Sequence, residues 1–159
     1  METLALPMRL VTEKEYVPLK AENDKLAAQI ASDPKAIDRV AARMSWNKGI
    51  IDRFEKQKTN PNPAMETEIH VIRIGDAVIC TNQFELFSDY GIRIQARSKA
   101  LQTFIVQLAG SGSYLPTERA VKGGGYSAVI QSNLVGPEGG QILVDRTVQL
   151  IDSMWPDTK

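Results

Sequence analysis

Apolar residues recur along this chain with two different periods. From Thr12 to Gln57 the spacing is helical: Tyr16, Leu19, Leu26 and Ile30 share one face, and Ile37, Val40, Met44, Ile51 and Phe54 mark another. Thr12 with Glu15 three residues later fits a capping box. Asp33-Pro34 places an N-cap residue before a proline suited to the first helical position. The pattern predicts one helix to about Ser32 and a second to about Gln57, an αα-hairpin with charged outer faces. Pro18 falls late for a first turn and works against the start of the first helix. The Tyr16/Leu19/Leu26 and Val40/Met44/Ile51 faces are expected to point inward. Ahead of the hairpin, Leu4–Val11 reads as a strand, with Pro7 marking an edge or a bend.

Thr59-Asn60-Pro61-Asn62-Pro63 breaks the pattern, and residues 58–64 are the candidate internal boundary of what reads as one domain over 1–159. Beyond it the apolar runs shorten. Glu66–Ile74 alternates as a strand, Gly75-Asp76 reads as a two-residue hairpin turn, and Ala77–Thr81 is a β-branched apolar run. Phe87, Tyr90, Ile94, Arg97 and Leu101 then fall three or four apart, which predicts a helix over Ser88–Leu101 with Ser88 as its N-cap. Thr103–Leu108 is a further strand. Strand, helix and strand in that order imply a right-handed crossover between parallel neighbours. Pro116–Lys122 reads as one or two helical turns, Tyr126–Gln131 as a short strand or extended stretch, and Pro137–Gly140 as a turn. Gln141–Trp155 reads as a final amphipathic helix with Val144, Val148, Ile151 and Trp155 on one face, stopped by Pro156. The predicted class is α/β, bordering on α+β, with a mixed sheet.

Composition narrows the function. The 159 residues contain 19 basic and 19 acidic side chains, which leaves no electrostatic footprint for nucleic acid. No apolar run approaches the roughly 20 residues of a membrane span. The N-terminus lacks the basic start and apolar block of a signal peptide. If the chain belongs to a longer precursor, export or a periplasmic location stays open. A lone Cys80 in an apolar run excludes an internal disulfide and a cysteine-based zinc finger, and it reads as a small buried hydrophobe.

Candidate chemistry lies where the crossover strands end. Ligands of such units bind in the crevice beyond the carboxyl ends of the strands. Of the two loops leaving those ends, one carries Glu85 and the other Tyr114, 29 positions apart in sequence. The bland readings are a loop carboxylate near a helix N-terminus and a packed aromatic. His70, the only histidine, shares a strand face with Glu68 and Ile72 and is expected away from these loops, in a structural or exposed role. Gly110-Ser111-Gly112-Ser113 and Gly123-Gly124-Gly125 are not a P-loop, since no Gly-Lys-Ser/Thr follows. Ser111 and Ser113 lack a histidine base, which argues against a serine triad.

The Glu85 loop, the Ser-Tyr-Leu-Pro-Thr-Glu segment at Ser113–Glu118 and the Gly-Gly-Tyr at Gly124–Tyr126 resemble the later part of the catalytic domain of neutral/alkaline (non-lysosomal) ceramidases. The resemblance covers roughly Ala77 to Trp155. It implies that Glu85 and Tyr114 are zinc ligands. It implies the hydrolysis of the N-acyl bond of ceramide, or of a related lipid amide, to sphingosine and fatty acid. The family's two zinc-binding histidines lie in an upstream part that nothing here matches. The chain is thus expected to be the C-terminal segment of a larger catalytic domain, with an N-terminal histidine-bearing part of the same protein as partner. By itself it is expected to be inactive and free of zinc. Two departures stand out: Gln83-Phe84 replaces the family's Pro-Gly, and Ser127 replaces a glutamate often found after the glycine-tyrosine. They leave an alternative reading, a non-catalytic α/β binding or interaction module that has lost the metal. An apolar surface exposed by a missing domain would favour a homo-oligomer.

Overall fold

The computed structural model describes residues 1–155. They divide into two compact units: Arg9–Pro63, and Met1–Met8 together with the chain from Ala64 onward. Among the described residues no helix is long and apolar enough to cross a membrane. Pro156, expected to stop the last helix, lies outside the described residues.

The first unit is the helical hairpin, α1 (Glu13–Ser32) and α2 (Ile37–Gln57). The capping box is complete: Thr12 Oγ1 accepts the Glu15 N–H at 3.3 Å and the Glu15 carboxylate accepts the Thr12 N–H at 2.9 Å. Helix α1 continues through Pro18. The Asp33 carboxylate caps a short 3₁₀ turn, Pro34–Ala36, that leads into α2. Gln57 bonds Val11 as a second strand would, accepting its N–H at 3.0 Å and donating to its carbonyl at 2.8 Å. The buried seam of α2 is Val40, Asn47 and Ile50, not Val40, Met44 and Ile51. Met44 and Ile51 are half-buried, because two helices cover only a narrow stripe of each other and these positions flank it. Asn47 is fully buried and donates to Glu22 at 2.9 Å, and Glu22 also receives a two-pronged contact from Arg43 at 3.0 Å.

The second unit is α/β. Its main sheet has the order β1 (Glu2–Pro7), β2 (Ala64–Ile74), β3 (Ala77–Thr81), β5 (Gln102–Val106). β1 and β2 are antiparallel, as are β2 and β3, which are joined through Gly75 in the left-handed region (φ 61°). β3 and β5 are parallel, with Val78 opposite Thr103 and Cys80 opposite Ile105, and α3 (Ser88–Arg97) makes the crossover. The expected parallel pair and mixed sheet are therefore present.

Boundaries differ for local reasons. The first strand occupies Glu2–Pro7 rather than Leu4–Val11, because pairing with β2 ends at the Pro7–Ala64 rung. α3 ends at Arg97 rather than Leu101, since the Ser98 hydroxyl turns the chain by accepting the Ala100 N–H at 3.1 Å and the Thr103 hydroxyl at 2.7 Å. Its N-cap is the extended Phe87, not Ser88. β5 stops at Val106, two residues before Leu108, which sits in the left-handed region (φ 56°).

α4 (Glu118–Gly123) is capped by Thr117. The stretch expected to be extended at Tyr126–Gln131 instead forms 3₁₀ turns at Tyr126–Ala128 and Ile130–Ser132. The expected turn at Pro137–Gly140 is the first turn of α5 (Pro137–Ser153), with Pro137 at its start. Gly139 and Gly140 serve close packing there rather than a bend: Cβ atoms at these positions would run into Val135 and Tyr90. The core lies between one face of the sheet and α3 and α5, and includes Leu6, Ile69, Val78, Phe84, Leu115, Val144 and Ile151.

Candidate functional site

Beyond the carboxyl ends of β3 and β5 the chain forms a second, two-stranded parallel ladder, β4 (Glu85–Leu86) with β6 (Tyr114–Leu115). Glu85 stands opposite Tyr114, and Leu86 opposite Leu115. Side chains alternate across a strand. Leu86 and Leu115 enter the core, which leaves Glu85 and Tyr114, both partly exposed, on the other side. The structure thus brings the two sequence-predicted residues onto one rung, placed in short strands rather than in loops.

Backbone bonds fix that rung. The Glu85 N–H donates to the Ser113 carbonyl at 3.1 Å and the Phe87 N–H to the Leu115 carbonyl at 3.3 Å. Upstream, the buried Asn82 side chain accepts the Phe84 N–H at 3.0 Å, and its backbone N–H donates to the Val106 carbonyl at 3.0 Å. Phe84, one of the two residues replacing the Pro-Gly of the ceramidase pattern, is fully buried and anchors the segment in the core. Gly112 must lack a side chain, because a Cβ there would run into the Gln83 carbonyl.

The Tyr114 hydroxyl is in hydrogen-bonding reach of the Glu85 carboxylate, and this contact holds its pKa above the ordinary tyrosine value; desolvation adds in the same direction, while a hydrogen bond from Ser127 opposes it. The Tyr126 ring meets Tyr114 edge-on at 6.0 Å between centroids. The Ser127 carbonyl accepts from the buried Asn133 side chain at 3.1 Å. Ser127, Tyr126 and Gly112 therefore belong to this cluster. All three lie in stretches that the sequence singles out, Gly112 in the glycine-serine run and Tyr126 and Ser127 at the glycine-tyrosine motif, but nothing in the sequence shows that they meet.

His70, expected away from these loops, instead stands opposite Thr81, the last residue of β3, because β2 runs antiparallel and brings it to the carboxyl end that the Glu85 segment leaves. Its Nδ1 is 3.1 Å from Thr81 Oγ1 and its Nε2 is 3.4 Å from Glu68 Oε1. No group of three or more His, Cys, Asp or Glu side chains able to hold a metal occurs among the described residues. The donors at the rung are one carboxylate, of a kind that zinc accepts, and one phenol, which must lose its proton to coordinate; together they fit part of a coordination shell that normally has at least three protein ligands.

A cavity of about 630 Å³ lies along the segment leaving β6, where Thr117 and Glu118 face Tyr90 and Arg93 of α3 and Glu138 of α5. Arg119 pairs with Asp89 across it at 2.9 Å. No family model, curated protein or solved structure matches this chain.

Proposed function

We propose that this chain supplies Glu85 and Tyr114 as two ligands of a ceramidase-like zinc amidohydrolase site. A histidine-bearing N-terminal part completes it, and the intact enzyme hydrolyses the N-acyl bond of ceramide or a related lipid amide. The observation that supports this reading most is the Glu85–Tyr114 rung, two oxygen donors held side by side by main-chain bonds at the ends of the crossover strands. Zinc, when bound, polarises the amide carbonyl and lowers the pKa of water. The contribution of this chain is placement. β4 and β6 aim both oxygens to one side, and Leu86 and Leu115 lock the ladder to the core. Alone, the Glu85 carboxylate raises the Tyr114 pKa and so disfavours the phenolate. A divalent cation near both would reverse that balance.

The test is calorimetric titration of zinc into the full chain, with and without the histidine-bearing segments encoded upstream in its reading frame. Weak or no binding alone, tight binding once those segments are supplied, and loss of it in Glu85→Ala are the expected results. Tight binding that ignores both Glu85→Ala and Tyr114→Phe would overturn the assignment. A second reading, a non-catalytic interaction module, rests on the buried Phe84 in place of the Pro-Gly turn. It gains if zinc stays unbound with the upstream segments present.

A further inference from the structure

The main sheet ends at β5, whose only neighbour among the described strands is β3. Natural sheet edges are blunted by charged side chains, prolines or bulges that keep other strands away. This edge has no such charge. From Ala100 to Thr117 the sequence contains no Asp, Glu, Lys or Arg, although 24% of the chain is charged. Phe104 is 52% exposed and Leu101, just before the strand, 88%. Phe104 sits beside Ile79, which sits opposite the exposed Ile72, so an apolar strip crosses three strands and reaches the edge.

The backbone decides what can pair there. Val106 directs its carbonyl toward β3, where it accepts the Asn82 N–H at 3.0 Å. Along a strand the N–H and C=O groups of successive residues alternate between its two sides, so those of Thr103 and Ile105 point away from β3, although Thr103 is only 5% exposed beneath the Gln95 side chain. A two-fold axis through Phe104 sets Thr103 opposite Ile105 of a second copy, and Ile105 opposite its Thr103. Both pairs then exchange N–H···O bonds in both directions, and Phe104 meets Phe104 on the exposed face. Gln102 falls opposite Val106, and no charge is buried. One competitor is present: the exposed Gln95 side chain donates to the Thr103 carbonyl at 3.0 Å and must swing aside. The balanced charge of the chain sets no long-range repulsion between copies.

We propose that β5 pairs antiparallel with β5 of a second copy about a two-fold axis through Phe104, joining two four-stranded sheets into one continuous sheet. The contact is isologous, so it closes on itself and yields a dimer rather than a filament. A second copy is the occupant this edge fits, because β5 is itself the uncharged, β-branched strand that the edge would accept.

Sedimentation equilibrium of the full chain tests this. The expected result is a concentration-dependent rise from one to two chain masses. Phe104→Lys places two like charges across the axis and should leave a monomer with an unchanged circular dichroism spectrum. An equimolar mixture of Phe104→Lys and Phe104→Glu chains should recover the dimer. A wild-type chain that is monomeric at every concentration, or a dimer indifferent to Phe104→Lys, overturns the proposal. If Phe104→Lys does not fold, hydrogen exchange of the wild type decides: protection of the Thr103 and Ile105 amides must grow with protein concentration, and exchange independent of concentration overturns the proposal.

Discussion

The Tyr90 ring occupies the space that a side chain at Gly140 would need, since a Cβ there would run into its Cζ and hydroxyl oxygen. The same hydroxyl donates to the Pro116 carbonyl at 3.0 Å and lies 3.3 Å from the Pro137 carbonyl. One phenol thus holds α3, the segment leaving β6 and the start of α5. Overpacking of this kind costs about 1–3 kcal/mol. Glycine to alanine within a helix gains up to about 1 kcal/mol of propensity, so a net loss isolates the clash. Gly140→Ala is expected to lower the urea midpoint, and Tyr90→Phe to cost about 0.5–1.5 kcal/mol through its lost hydrogen bond. An unchanged midpoint in Gly140→Ala would place α5 farther from Tyr90 than described.

The Glu85–Tyr114 contact predicts a titration. The carboxylate disfavours the phenolate, so the Tyr114 phenol should ionise above the ordinary tyrosine value in the metal-free chain. Glu85→Gln removes the charge and should bring it down. Ultraviolet difference titration against Tyr114→Phe reads both. A Tyr114 titration that Glu85→Gln leaves in place contradicts the rung.

Acid should weaken both units. Glu2 is held below its ordinary value by the Arg146 hydrogen bond, Glu22 by those of Arg43 and Asn47, and Asp145 by those of Gln141 and Arg97. A depressed folded-state pKa contributes stability that is full above the unfolded value and is lost as pH falls through the folded one. Thermal stability is therefore expected to decline below about pH 4, the ordinary carboxylate range. The Arg97→Ala chain should decline less steeply. The difference should be small, because pairs this exposed contribute about 0–1 kcal/mol. A melting temperature flat across that range would count against the described pairs.

Burial pushes the Cys80 thiol up to about 11. The thiolate is the reactive form. Iodoacetamide at mildly alkaline pH should leave the native chain unmodified and label it fully in denaturant. Rapid native labelling would mean that β3 opens readily.

Much of the fold is legible because its signals are local. The Thr12–Glu15 box, the Asp33-Pro34 start, the Gly75 hairpin and the β-branched Ala77–Thr81 run each depend on residues a few positions apart, and each element is present. What escapes the sequence depends on distant neighbours. Pro137–Gly140 reads as a turn because paired glycines usually bend a chain; here they admit Val135 and Tyr90 against a helix. Asn47 is absent from the apolar positions that mark the second helix, yet it lies in the seam because Glu22, 25 positions away, accepts its amide. The neighbourhood of Glu85 and Tyr114 follows from the strand–helix–strand pattern. Their shared rung does not, since a ladder of two residues per strand leaves no periodicity to find.

That short ladder has a consequence of its own. The positions of residues 85 and 114 are set by amide and carbonyl groups of Glu85, Phe87, Ser113 and Leu115, and not by what their side chains do to each other. The rung is therefore a socket more than a fitted pair. Histidine or aspartate placed at either position would be presented at the same spacing and on the same side. The ladder can carry other pairs of side chains without redesign of the backbone that holds them.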